Sequence, residues 1–95
     1  MRGLEGLQGD TELIVSELVS NAVRHSTGPI KVRPIQHQAL TCEVSDNDAF
    51  PPRLRRARAA EENGRGLFLV SRLSSRWGYR LIPEGKAVWA EQKLP

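Results

Sequence analysis

Ile14-Val15-Ser16-Glu17-Leu18-Val19-Ser20-Asn21-Ala22-Val23-Arg24-His25-Ser26 is the stretch from which the rest of the chain can be placed. Ile14, Val15, Leu18, Val19, Ala22 and Val23 recur at intervals that set them on one side of a helix. Asp10 is suited to cap this helix, Glu12 falls in its first turn, and Thr27-Gly28-Pro29 stops it. The expected helix therefore runs from about Asp10 to His25. Met1 to Gly9, with Gly3, Gly6 and Gly9, reads as a loose lead-in without the apolar core of a signal peptide.

Downstream the period changes from helical to alternating. Ile30 to Ile35 opens with Ile-Lys-Val-Arg, and Leu40, Cys42 and Val44 alternate up to Asp46. A short polar joint at Gln36, His37 and Gln38 makes these two an antiparallel hairpin, and Pro34 suits an edge or bulge. From Asn47 to Arg65 the pattern vanishes, through Pro51-Pro52, an arginine cluster at Arg53, Arg55, Arg56 and Arg58, and Glu61-Glu62-Asn63. A loop this long inside so small a domain reads as a functional loop or lid. Gly66 then opens a second helix with Leu67, Phe68, Val70 and Leu73 as its apolar face. A last hairpin pairs Tyr79–Ile82 with Ala87–Glu91, turned by Pro83, Glu84 and Gly85, with Gly85 free to take a positive φ. The sum is an α+β, two-layer sandwich: helices on one face of a mixed, mostly antiparallel sheet.

Composition bounds the function. Ninety-five residues make one small domain, burying roughly 60–65 % of its unfolded surface. A net charge of +3 permits an acidic partner or a polyphosphate but does not imply nucleic acid. Two Trp, two Phe and one Tyr are too few for a base-stacking platform. The arginine cluster reads as a solvated lid or a patch for an acidic partner. Cys42, the one cysteine, excludes an internal disulfide and a multi-cysteine zinc site, and reads as a buried structural thiol. His25 and His37 are too isolated to pair on a metal, and Trp77 and Trp89 read as core or rim residues. No apolar run is long enough to span a bilayer, so a cytoplasmic protein with no membrane contact is expected.

Three features carry chemistry. Glu17, Asn21 and either Arg24 or His25 share one stripe of the first helix. A carboxylate and an amide oxygen one turn apart are hard oxygen donors of the type magnesium accepts beside water and phosphate. Asp46 stands where an apolar strand runs out, able to accept a hydrogen bond from an exocyclic amine. Asn63-Gly64-Arg65-Gly66-Leu67 runs glycines into a helix start, where free N–H groups can cradle phosphate.

In this order and spacing the three resemble the boxes of the GHKL, or Bergerat-fold, ATPase and kinase superfamily. Glu17 to Ser26 looks like its N-box, Val44 to Asp48 its first glycine box, and Gly64 to Leu67 its second. Trp77-Gly78 and Gly85-Lys86-Ala87-Val88-Trp89-Ala90-Glu91 look like the end of the anti-sigma-factor serine kinases. The likeness covers residues 10 to 92 and implies a histidine kinase-like ATP-binding domain over 10–95, with ATP and Mg2+ as ligands.

By resemblance, Asn21 would hold the magnesium and Glu17 would be the general base toward a partner's serine. Asp46 would read the adenine amine. Gly64, Gly66 and Leu67 would form the phosphate turn, with Arg65 or Arg24 adding charge. Asn47 to Asn63 would be the ATP lid. The implied partners are a sigma factor and/or an anti-anti-sigma factor, with no direct nucleic acid.

Three departures stand out. Asp48 and Phe50 occupy positions where the family has glycines. Ala87 sits where a threonine would share a water with the adenine-reading aspartate. The family's strand and helix ahead of the N-box helix have no counterpart, which would leave an open sheet edge and predicts a homodimer. A nucleotide- or partner-binding module without phosphoryl transfer is the rival reading.

Overall fold

The apolar stripe around Ile14 carries the longest element of the protein. A computed structural model describes residues 4–50, 52 and 66–94. Helix α1 spans Leu4–His25, followed by strands β1 (Lys31–Gln36) and β2 (Ala39–Asp46). Helix α2 spans Gly66–Leu73, and strands β3 (Arg76–Ile82) and β4 (Gly85–Lys93) complete the order. The four strands form one sheet in the order β1-β2-β4-β3, and every pairing is antiparallel. This is the expected α+β two-layer arrangement, with both hairpins present and joined through β2 and β4.

The two layers meet along one set of alternating strand positions. Cys42 and Val44 of β2 and Val88 and Ala90 of β4 face Ile14, Leu18 and Ala22 of α1 and Val70 of α2. All eight are buried, with Val15, Val19, Ile30, Leu73 and Trp77 packed around them. Cys42 is thus a core residue. Burial pushes its thiol up from the usual range, and the neighbouring Glu43 charge adds to the shift.

Two local expectations are corrected. Helix α1 begins at Leu4, so residues 4–9 are helical rather than a loose lead-in, and Asp10 lies inside the helix rather than capping it. The sheet-facing stripe of Ile14, Leu18 and Ala22 continues backward through Thr11 and Leu7, three and seven positions before Ile14. Thr11 Oγ1 lies 2.7 Å from Leu7 O and 2.7 Å from Gln92 Oε1 on β4, which ties this early turn to the sheet. That tertiary support outweighs a glycine penalty of about 1 kcal/mol each at Gly6 and Gly9.

The second correction concerns Gly85, since no described residue has a positive φ. A Cβ there would lie 2.6 Å from Asn47 C and closer still to Asp46 O. The glycine therefore serves the close approach of β4 to the end of β2, not a left-handed turn. Pro83 and Glu84 make the turn itself.

Candidate functional site

The segment after α1, the end of β2 and the start of β4 meet at one end of the sheet. On α1, Glu17 and Asn21 are half-buried one turn apart, flanking the buried stripe of Ile14, Leu18 and Ala22. Both keep part of their surface exposed. Arg24 and His25 follow in the last turn and are exposed.

Asp46 closes β2 on the helix-facing side, continuing the alternation of Cys42 and Val44, and is only 4 % exposed. Its Oδ1 accepts hydrogen bonds from the Asp48 backbone N–H at 2.8 Å and from Lys86 Nζ at 3.1 Å. Its Oδ2 is buried and has no hydrogen-bond partner. An unpaired buried acceptor costs about 1–3 kcal/mol, so such an atom calls for a donor from a ligand or an ordered water. The only other such atom among the described side chains is Ser26 Oγ, just past the C-terminus of α1.

Asn47 joins these two neighbourhoods. The Thr27 N–H donates to Asn47 Oδ1 at 3.1 Å, and Asn47 Nδ2 lies 3.4 Å from Thr27 Oγ1. Gly28 completes the seam, because a Cβ there would sit 2.9 Å from Asn47 Cγ. Beyond it, the Phe50 N–H donates to Asp48 Oδ1 at 3.1 Å while Phe50 itself is 74 % exposed. Asp48 and Phe50, standing where glycines were expected, thus form a hydrogen-bonded turn leading away from Asp46.

Lys86 was not singled out from the sequence. It pairs in register with Asp46, is 1 % exposed, and makes a buried ion pair with it. Strand parity signals it: two residues before core-facing Val88, position 86 must point into the helix layer. The same parity corrects the reading of Ala87, which pairs with Ser45 and Arg80 on the helix-free face. The β4 side chain that meets Asp46 is Lys86, so Ala87 does not stand in for a residue sharing its water.

Gly66 is the first residue of α2 and Leu67 the second. Gly64 and Arg65, the lid from residue 53 and the arginine cluster lie outside the described residues. A cavity of about 170 Å3 at this sheet end is lined by Lys31, Ser45, Ile82 and Glu84 together with Pro29, Asp46 and Asn47. Lys31 and Ser45 pair in register on the face turned away from α1, Ile82 has the same strand parity as Arg80 on that face, and the volume falls short of the roughly 300 Å3 at which small-ligand sites begin. A cavity of about 240 Å3 near Leu73 and Gln92 holds none of the predicted site residues.

Among the described residues no group of three or more His, Cys, Asp or Glu side chains is placed to hold a metal ion, and no helix is long and apolar enough to cross a membrane. Residues 4–91 match a family model described as a histidine kinase-like ATPase domain. No curated protein matches the chain.

Proposed function

The chain belongs to the histidine kinase-like ATPase family, and from that premise we propose that it is an ATP–magnesium-binding regulatory domain of the anti-sigma-factor serine kinase type. The observation that carries the nucleotide part is Asp46 Oδ2, a buried acceptor without a partner. It offers the hydrogen bond that an adenine amino group would satisfy. The anti-sigma assignment rests on the likeness of the Trp77-to-Glu91 segment to the short kinases of that group.

Asn21 would hold the magnesium through its amide oxygen. With no all-protein cage among the described residues, the remaining ligands would be phosphate oxygens and water. Bound magnesium would neutralise charge on the triphosphate. Glu17, one helical turn before Asn21, would take the proton from a partner's serine hydroxyl as that oxygen bonds to the γ-phosphorus and ADP leaves. Arg24, Arg65 and the Gly64–Leu67 turn would add positive charge and N–H donors along the phosphates. The partner supplying the serine would be an anti-anti-sigma factor, and a sigma factor would be the sequestered protein.

One observation favours the rival, a binding module that does not transfer phosphate. The turn after Asp46 is pinned, with Lys86 Nζ donating to Asp48 O at 3.0 Å in a segment where the family carries glycines.

Calorimetry with ATP, with and without Mg2+, separates these readings when paired with a transfer assay. Binding should require magnesium, and Asn21→Ala should abolish that requirement. Glu17→Ala should stop phosphoryl transfer while leaving nucleotide affinity within a few-fold. Folded protein that binds no nucleotide at millimolar ligand would end the proposal. Binding with no transfer to any serine-bearing partner would leave the module.

A further inference from the structure

Nothing in the chemistry above uses Lys86, yet it is among the most deeply buried side chains of the protein. Its ammonium donates to Asp46 Oδ1 at 3.1 Å and to Asp48 O at 3.0 Å, and lies 3.7 Å from Asp48 Oδ2. The Asp48 N–H reaches the same Asp46 Oδ1 at 2.8 Å. Two donors from two directions thus occupy one carboxylate oxygen and fix the plane of the group. The other oxygen, buried and unpartnered, is the one acceptor left open.

We propose that Lys86 is a positioning residue that sets base specificity, holding Asp46 as an acceptor-only carboxylate with Oδ2 presented to the base. The inference rests on the adenine reading of Asp46 given above. An ionised carboxylate has no proton to give, so Oδ2 can meet only a donor. A purine with an exocyclic amine at C6 supplies one. A purine with a carbonyl there, as in inosine or guanosine nucleotides, sets lone pair against lone pair and leaves two buried acceptors unpaired.

Without the ammonium the balance changes. Oδ1 then keeps only the Asp48 N–H, so the plane of the carboxyl is no longer fixed from two directions. A carboxyl free to turn no longer holds one lone pair against the base, and an amine then gains less over a carbonyl. Lys86 would thereby enforce the choice of base without touching it.

The test compares binding of ATP and ITP, each with Mg2+, to the wild-type chain, Lys86→Met and Lys86→Arg. ITP differs from ATP in carrying a carbonyl in place of the amine at C6, with a proton on the adjacent N1. The wild type should prefer ATP by roughly tenfold or more, as expected where one buried hydrogen bond is replaced by an unpaired group. In Lys86→Met the preference should shrink to about threefold or less, and Lys86→Arg should restore most of it because the charge returns. A folded Lys86→Met protein with the wild-type ratio overturns the role of Lys86 while leaving Asp46 as the reader. A wild type that binds both nucleotides equally removes the adenine reading of Asp46 and this inference with it.

Should Lys86→Met fail to fold, NMR of the lysine side-chain ammonium groups in the wild-type ATP complex decides the matter. The Lys86 signal should remain that of an ammonium bound to Asp46. A Lys86 that leaves Asp46 for the phosphates when ATP binds would overturn the proposal.

Discussion

A buried ammonium is stable only beside negative charge, and Lys86 has Asp46 at 3.1 Å and Asp48 at 3.7 Å. This coupling changes how Asp46 must be probed. Asp46→Ala would leave Lys86 with the weaker partner alone, at a cost of about 3–5 kcal/mol in urea unfolding. The double variant Asp46→Ala/Lys86→Ala should cost less than the sum of the two single changes by about 1 kcal/mol or more. Strict additivity would show that the pair is not energetically coupled. Asp46→Asn, which keeps the shape and one acceptor, is therefore the better variant for base specificity.

Among the elements, the helix-free face of the sheet has its own fastening. Arg80 on β3 reaches past β4 to Glu43 on β2, with Nη1–Oε2 at 2.6 Å and Nη2–Oε1 at 2.9 Å. Ala87 is the β4 residue in register with Arg80, and its short side chain leaves room for the crossing. Trp89, the next residue on this face, lies against Gly78, where a Cβ would meet Trp89 Cζ2 at 2.9 Å, and Arg76 sits 5.7 Å from its ring centroid. The Arg80 hydrogen bonds hold the Glu43 carboxyl below the usual glutamate range, against an opposing effect of burial. A carboxyl depressed in the folded state stabilises above its unfolded value of about 4.3, and that contribution disappears as pH falls through the lower folded value. Glu43→Gln should therefore lower the melting temperature at pH 7, and the gap from wild type should close on acidification below about pH 4. Melting curves at both pH values check this, and a gap that widens in acid would contradict it. Because half of the Arg80 side chain is exposed, added salt should narrow the gap at pH 7.

For the molecule as a whole, the exposed edge bears on assembly. Strand β1 is exposed along its whole length, with Val32 at 48 % and Ile35 at 37 %. Among the described residues it pairs only with β2, which leaves an outer edge able to accept a strand from another chain. Pro34 removes one donor and Lys31 and Arg33 add like charge, which temper that edge without closing it. The proposed homodimer should give a dimer mass by light scattering at micromolar concentration and a melting temperature that rises with protein concentration. A monomer mass with concentration-independent unfolding would rule it out.

What the sequence determined by itself was local. Helical spacing from Ile14 to Val23 and alternation in Leu40–Val44 are properties of neighbouring residues, so the elements, both hairpins and the helix-bound Glu17–Asn21 stripe were legible. The order of boxes that marks the family was legible for the same reason, while the Gly64–Arg65 pair and the lid stay at the level of that reading. Contacts between distant segments belonged to the tertiary structure. It extended α1 back to Leu4 through Thr11 and Gln92, and it set Gly85 against Asp46 and Asn47. It also joined the two hairpins through β2 and β4, which placed Lys86 rather than Ala87 opposite Asp46. The parity of a strand can be read along the chain, but its partner and register are settled only when burying one shared apolar face selects among the possible pairings.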